Sequence, residues 1–248
     1  MSKSDQLNPQ LTKLKAIFRL ARPAEAMPAI LSLLFLRFVD LTSTSLPDHA
    51  RYNFLLAQNT DNDPVADIST AVNAAIGDSF SNESLADLIE YIFRYRGFTP
   101  ELLQDALREI VTITEDQNPA VIESMFYWVI EFYETDSSDS REGIFQSPIS
   151  MMQLVITILD PTDGKLLDPA AGKNHYFKLA KDFLSKRNID VNNLEYFGQE
   201  LNEMQYVLGA MAMAISGITA ELNHGDSLYE AKYGTPHSFD FVATDFPW

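Results

Sequence analysis

The first half of the chain carries hydrophobic residues at the spacing of amphipathic helices. Within residues 11–21, every third or fourth position is apolar, which predicts one helix, and the pattern returns from Ser84 onwards. Thr99 followed by Pro100 is typical of an N-cap and a first helical turn. The pattern of residues 1–135 therefore predicts an all-α domain.

The most apolar stretch, residues 28–41, predicts a core helix and not a membrane span. Arg37 and Asp40 interrupt it, and it is shorter than the roughly 20 apolar residues that a bilayer requires. Residues 119–133 predict a further apolar-rich helix, whereas the polar residues 58–64 predict a loop. The N-terminus lacks the pattern of a signal peptide, so we expect none.

The pattern changes after residues 135–143, a polar stretch that predicts a domain boundary. Beyond it, strands alternate with helices, which predicts right-handed crossovers and a parallel sheet of the α/β class over residues 136–248. The predicted strands lie near residues 165–168, 194–199, 219–224 and 239–244, and the predicted helices at about residues 148–159, 176–187 and 202–216.

Composition limits what the chain can do. Of its 248 residues, 46% are hydrophobic, so a packed core is expected, and the absence of cysteine excludes disulfides and cysteine-based sites. That absence fits a reducing cytoplasm. The net charge of −17 argues against a chain that binds DNA by itself, although residues 1–22 are basic. A solubilising acidic surface is the simpler interpretation of the charge.

Polar residues follow each predicted strand. Asp168 and Gly172 come after the first strand, Glu200 ends the second, Asp226 follows the third and Asp245 follows the fourth. The carboxyl ends of parallel strands meet at the edge where open α/β sheets bind ligands. Taken alone, each motif has a structural alternative: a plain strand-to-helix turn, a surface acid beside a helix dipole, or, for Asp226, an N-cap.

Together, this order of motifs resembles the catalytic domain of adenine-N6 DNA methyltransferases, in particular the modification subunit of type I restriction–modification systems. The resemblance implies a Rossmann-like methyltransferase domain that uses S-adenosyl-L-methionine and follows an N-terminal helical domain. It also implies about seven strands, of which four are recognisable, so we expect the domain to be partial and a poor catalyst by itself.

The resemblance assigns roles in the cofactor site. Glu200 would bind the ribose hydroxyls, Asp226 would bind the adenine amine, and the turn after Asp168 would approach the methionine end. In residues 143–148, an aromatic and a hydroxyl would help to close the pocket, although Ser147 before a proline also satisfies an N-cap. The implied S-adenosyl-L-methionine site comprises Phe145, Ser147, Asp168, Ala170, Gly172, Glu200 and Asp226.

The implied catalytic residues are Asp245, Phe246, Pro247 and Trp248. Related methyltransferases have Asn or Asp, two prolines and an aromatic here. The polar side chain and a backbone carbonyl accept hydrogen bonds from the target amine, and the aromatic stacks on the flipped adenine. Phe246 replaces the first proline, which we expect to loosen this geometry.

Two glycines of the family's cofactor turn are also replaced, by Asn174 and His175. Asparagine tolerates a positive φ, histidine does so less readily, and its ring would add bulk where the ligand lies. We therefore expect weakened cofactor binding.

The function implied by the resemblance is methylation of adenine in DNA, together with a specificity subunit and a restriction subunit. A non-catalytic relative that acts in assembly or regulation of a restriction complex is one alternative. An acidic mimic of DNA is another, motivated by the net charge.

Overall fold

The computed structural model describes residues 23–58, 63–76, 83–94, 99–114, 118–136, 147–230, 232–233 and 238–246. The chain divides into two compact units, Met1–Ser138 and Asp139–Trp248. Several sequence predictions lie outside the described residues: the helix over residues 11–21, the boundary residues 137–143, and the site residues Phe145, Pro247 and Trp248.

The first unit is helical throughout its described residues. Its longest helix, α1, is almost completely buried around residues 29–36 and packs mainly against α6. Among the described residues, the α-helices of this unit are α1 (Pro23–Thr42), α2 (Tyr52–Ala57), α3 (Pro64–Ile76), α4 (Glu83–Arg94), α5 (Pro100–Ile113) and α6 (Pro119–Asp136). Pro64, predicted to lie in a loop, begins α3, a position that suits its fixed φ and missing N–H.

Hydrogen bonds and an ion pair satisfy several polar side chains in this unit. The Thr99 hydroxyl accepts a hydrogen bond from the Leu102 N–H at 3.3 Å, which confirms the predicted N-cap of α5. Arg37, although only 7% exposed, donates to the Thr114 hydroxyl at 3.1 Å and pairs with Asp40 at 3.0 Å. No helix among the described residues has the length and apolar content to cross a bilayer.

The second unit is an α/β sheet with every strand pair parallel. Its elements are α7 (Ile149–Leu159), β1 (Gly164–Asp168), α8 (His175–Lys186), β2 (Leu194–Glu200), α9 (Glu203–Ser216), β3 (Ala220–His224) and β4 (Phe241–Val242). The strand order is β3-β2-β1-β4. The structure thus confirms the α/β class, while the fourth strand is shorter than predicted, because only two of its residues pair with β1.

Side chains from adjacent positions of β2 point to opposite faces of the sheet. Tyr196 packs against Phe177 of α8, with ring centroids 5.4 Å apart. On the other face, Phe197 contacts Tyr233 at 5.5 Å and Phe239 at 5.2 Å. Residues of the β3–β4 connection therefore cover the face of the sheet opposite α8.

Core packing of α9 provides a direct test of this arrangement. Leu208 of α9 is fully buried, whereas Leu228 after β3 is 78% exposed. We expect Leu208→Ala to lower the free energy of unfolding of the second unit by about 2–5 kcal/mol, because it leaves a cavity. Leu228→Ala, the same chemical change at the surface, should alter it by no more than about 0.5 kcal/mol. Urea denaturation measures both, and equal effects would contradict this packing.

Candidate functional site

The predicted polar residues that the structure describes gather at one edge of the sheet. β1 ends at Asp168 and β2 ends at Glu200, while Asp226 follows β3 and Asp245 follows β4. The register aligns Asp168 with Gly198 of β2 and Glu200 with His224 of β3. Because all pairs are parallel, these positions share the carboxyl edge of the sheet.

Asp168 is a buried carboxylic acid, with 2% of its surface exposed. Its Oδ1 accepts a hydrogen bond from the Ala170 N–H at 3.1 Å. Burial raises the pKa of Asp168 to about 7, the Ala170 hydrogen bond opposes that rise, and the negative charges of Glu200 and Asp245 add to it. Glu200 and Asp245 therefore both lie within electrostatic reach of Asp168.

The turn after β1 is held by β2. The Ala171 N–H donates to the Gln199 carbonyl at 2.9 Å, and the Gly172 N–H donates to Oε2 of Glu200 at 2.7 Å. Gly172 has a φ of 51°, and a Cβ built on it would meet no atom within 4 Å. The turn thus presents a glycine with open space beside it, a form that permits a ligand to approach the backbone.

Glu200 also fixes the start of α9. Its Oε1 accepts from the Asn202 N–H at 2.6 Å, and the Asn202 side chain caps α9 by accepting from the Gln205 N–H at 3.1 Å. Each carboxylate oxygen can accept about two hydrogen bonds. Glu200 therefore has acceptor capacity left for a ligand with hydroxyl donors.

The two residues that replace the family glycines behave differently from each other. Asn174 has a φ of 62°, as expected for asparagine in this turn. His175 is the first residue of α8 and has no positive φ, so the expected backbone conflict at histidine was wrong. The reason is that the turn needs positive φ at positions 172 and 174 and is already helical at 175.

A narrow cleft, with no room for even a water-sized sphere, lies beside the turn. Its lining residues are Ala171, Gly172, Asn174, Gly198, Glu200, Tyr206 and Leu222, and His175 is not among them. A larger open recess of about 310 Å³ lies beside the start of β2 and β3, next to Leu194 and Ile218. That recess is at the opposite end of the strands from the acids, so size alone does not identify the site.

Asp226 caps the turn that follows β3. Its Oδ1 accepts from the Leu228 N–H at 2.9 Å, and its carbonyl oxygen accepts from the Glu230 N–H at 2.8 Å. Residues 227–229 form a turn and not a helix, so Asp226 caps a turn and is not the helix N-cap that the sequence offered as an alternative. Since this bond uses one carboxylate oxygen, it does not prevent the other from accepting a ligand donor.

Ser147 contacts Asp245 and not its own helix. The Ser147 hydroxyl donates to Oδ2 of Asp245, and the residue in the N-cap position of α7 is Pro148, which has no side-chain cap bond. The predicted N-cap at Ser147 was therefore wrong, because a carboxylate 98 residues later engages the hydroxyl. Phe246, the next residue after Asp245, is 41% exposed.

Sequence reasoning missed several residues that support this edge. Gln199 is 2% exposed; its side chain donates to the Glu230 carbonyl at 2.8 Å and accepts from the Lys232 N–H at 3.2 Å. Burial and the charges of Asp168 and Asp245 raise the pKa of Tyr176, which places its ring near both acids. Among the described residues, no group of three or more acidic or histidine side chains could hold a metal ion.

The buried Asp168 makes a pH-dependent contribution to stability. An unfolded chain releases this proton near pH 3.8, whereas the folded chain holds it up to about pH 7. Between these values the native state binds more protons at Asp168, so we expect the contribution of Asp168 to stability to fall as pH rises from about 4 to 7, with a limiting slope of about 1.4 kcal/mol per pH unit. Urea denaturation across this range should give a flatter profile for Asp168→Asn than for the wild type.

The matched control is Asp163→Asn, the same change at an exposed position before β1. It should keep the wild-type slope. Parallel profiles for the wild type and Asp168→Asn would show that Asp168 does not retain its proton in the folded state.

Curated relatives share sequence with part of this chain. The chain is 30% identical over 122 residues to the type I restriction enzyme MjaIX methylase subunit of Methanocaldococcus jannaschii, a match that covers 49% of this chain and 21% of that protein. It is 33% identical over 118 residues to the HindI methylase subunit of Haemophilus influenzae, covering 47% and 26%. The matched part is thus about a fifth to a quarter of these relatives' length.

Solved structures share the fold. A type I restriction–modification methyltransferase subunit from Streptococcus thermophilus superposes with a TM-score of 0.73 at 16% identity, over 98% of this chain and 63% of that one. A protein assigned as the modification subunit of a type I restriction enzyme from Vibrio vulnificus YJ016 gives 0.65 at 17% identity, over 98% and 60%. At these identities the likeness shows the fold alone.

The family model for N-6 DNA methylases matches residues 118–248, which is more than half of the chain. The chain therefore belongs to the N-6 DNA methylase family.

Proposed function

We propose that this chain forms the cofactor-binding and adenine-binding part of a DNA adenine-N6 methyltransferase, the modification subunit of a type I restriction–modification system. The observation that carries the proposal is the geometry of Glu200. Its carboxylate holds the open Gly172 turn and the start of α9 at one point of the carboxyl edge. Family membership and the methylase subunits among its relatives support the same reaction.

The residues at this edge fit S-adenosyl-L-methionine. Gly172 leaves open space next to its Cα, where a ligand can approach the backbone closely. Glu200 retains lone pairs for the ribose hydroxyls, and Asp226 retains one carboxylate oxygen for the adenine amine. When bound, the cofactor supplies an electrophilic methyl group on a sulfonium centre.

Asp245 is the proposed acceptor for the amino group of the target adenine. The Ser147 hydroxyl occupies its Oδ2, which leaves Oδ1 to receive the amine and orient its lone pair. Phe246 supplies a backbone carbonyl as a second acceptor, and Pro247 and Trp248 complete the motif by family resemblance, with the aromatic stacking on a flipped base. These groups position the amine, and no strong base is required of them.

The proposed partners follow from charge and family. In this chain the acidic residues outnumber the basic ones to a net charge of −17, which opposes binding to DNA phosphates. A specificity subunit would therefore supply most of the DNA contact, and a restriction subunit would join the complete system. The proposed location is the cytoplasm, where such complexes meet DNA.

A non-catalytic relative that serves in assembly of a restriction complex is the second candidate. Two observations favour it. The cleft lined by Gly172 and Glu200 has no room for even a water-sized sphere, whereas ordinary ligand pockets hold roughly 300 Å³ or more. Phe246 also replaces the proline that would fix the direction of the neighbouring carbonyl. Cofactor binding distinguishes the two candidates.

Calorimetric titration of S-adenosyl-L-methionine into the whole chain tests the cofactor site. We expect the wild type to bind, and Glu200→Ala to bind about 10–150-fold more weakly, because hydrogen bonds to a charged group are worth about 1.5–3 kcal/mol. Glu195→Ala removes an exposed acid at the opposite end of the same strand and should bind like the wild type. Absence of binding by the wild type would favour the assembly role.

Methyl transfer tests Asp245. In the chain assembled with its specificity subunit, we expect Asp245→Ala to reduce transfer of labelled methyl to DNA by about 100-fold, because the amine is no longer oriented. Asp245→Asn keeps an acceptor oxygen and should retain most activity. Cofactor affinity should change far less than methyl transfer in both variants. Equal losses in the two variants would argue against the proposed acceptor role.

A further inference from the structure

Asn174 fills a gap between two glycines on different elements. A Cβ built on Gly209 of α9 would lie 2.6 Å from Nδ2 of Asn174, and one built on Gly198 of β2 would lie 3.2 Å from its Oδ1. Asn174 is only 2% exposed. Its side chain is therefore enclosed where α9 and β2 come closest to the turn.

The Asn174 side chain lies towards α9 and β2, and it therefore leaves the other side of the turn open. The space next to the Cα of Gly172 contains no atom within 4 Å of a built Cβ, so the Asn174 amide does not occupy it. On the enclosed side, the Cβ position of Gly209 is 2.7 Å from the Gly172 carbonyl oxygen, so α9 lies directly against the turn backbone. An asparagine in place of the family glycine thus need not obstruct a ligand.

The backbone conformation of Asn174 also indicates that asparagine suits this turn. Its φ of 62° lies in the left-handed region, which asparagine adopts more readily than most residues other than glycine. Glycine would also adopt it, but it would leave the gap beside Gly198 and Gly209 empty and free the turn to sample other conformations. The neighbouring Gly172 N–H donates to Glu200 at 2.7 Å, so movement of the turn reaches that carboxylate directly.

We propose that Asn174 is a positioning residue for the ribose of the cofactor. Its buried amide holds the turn of residues 172–174 against β2 and α9, and thereby keeps Gly172 bonded to Glu200 in the orientation that receives the ribose hydroxyls. This inference rests on the proposed function. It contradicts the expectation that the asparagine weakens the site, because it assigns the side chain a supporting role.

Calorimetric titration of the whole chain with S-adenosyl-L-methionine, adenosine and 2′-deoxyadenosine provides the first test. We expect Asn174→Gly to bind S-adenosyl-L-methionine about threefold to tenfold more weakly than the wild type, because the emptied gap lets the turn, and with it Glu200, leave the binding orientation. Its preference for adenosine over 2′-deoxyadenosine should shrink, since Glu200 is less well oriented. A purely structural role would lower stability without changing that preference.

Asn188→Gly is the matched control. Asn188 also has a positive φ, at 57°, but it is exposed and follows α8 at its far end. This variant should match the wild type in affinity and in ribose preference. Tighter or unchanged binding by Asn174→Gly, with binding by the wild type, would overturn the inference while leaving the proposed function standing. No binding by any of these proteins would overturn both.

Thermal denaturation without ligand tests the packing independently. Gly209→Ala should lower the Tm of the wild type more than that of Asn174→Gly, because part of its steric conflict is with the Asn174 amide. Some loss should persist in the Asn174→Gly background, because the Gly172 carbonyl remains close. Equal losses in both backgrounds would show that the amide does not occupy this gap and would overturn the inference.

Discussion

The arrangement of the carboxyl edge depends on one carboxylate that accepts from two backbone N–H groups. One carboxylate oxygen of Glu200 accepts a hydrogen bond from the Gly172 N–H at 2.7 Å, and the other accepts one from the Asn202 N–H at 2.6 Å. Hydrogen bonds to an ionised acceptor are about twice as strong as neutral ones. A single side chain at the end of β2 therefore fixes both the turn that follows β1 and the first residues of α9. The ligand recognition proposed for this edge would depend on the same two bonds, because they set where the remaining lone pairs of Glu200 point.

A second constraint is the cost of placing three acids together. Asp168 is nearly inaccessible to solvent and has Glu200 and Asp245 as negative neighbours. Its ionisation is therefore unfavourable below about pH 7. Such perturbed acids concentrate at functional sites, where a charge arrangement that costs stability serves binding. A cationic ligand at this edge would reduce the repulsion among the three carboxylates. A sulfonium compound carries such a positive charge.

Much of the second unit could be predicted because strands and helices alternate along it and each type has its own spacing of hydrophobic residues. The strand order could not be read from periodicity, since the position of β4 beside β1 depends on the direction of a connection that has no regular pattern. Local signals also misled at Ser147, whose place before a proline favours a cap. Its actual partner, Asp245, lies 98 residues away, and no short-range pattern reports such a contact. The cofactor-edge acids were predictable as a set because the carboxyl ends of parallel strands converge.

The direction of the Asn174 side chain changes how the altered turn should be interpreted. A substitution that damages a site leaves a clash or an unfilled space around it. Here the side chain lies in a gap that Gly198 and Gly209 provide, and its backbone adopts the left-handed conformation that asparagine tolerates. Alanine at position 209 would place a methyl group 2.6 Å from the amide. The asparagine therefore depends on a small residue in a distant helix. The buried Oδ1 of Asn174 has no hydrogen-bond partner among the described residues, which costs about 1–3 kcal/mol. The close packing of the turn against α9 and β2 must offset that cost, so the asparagine is tolerated through its packing and not through a hydrogen bond.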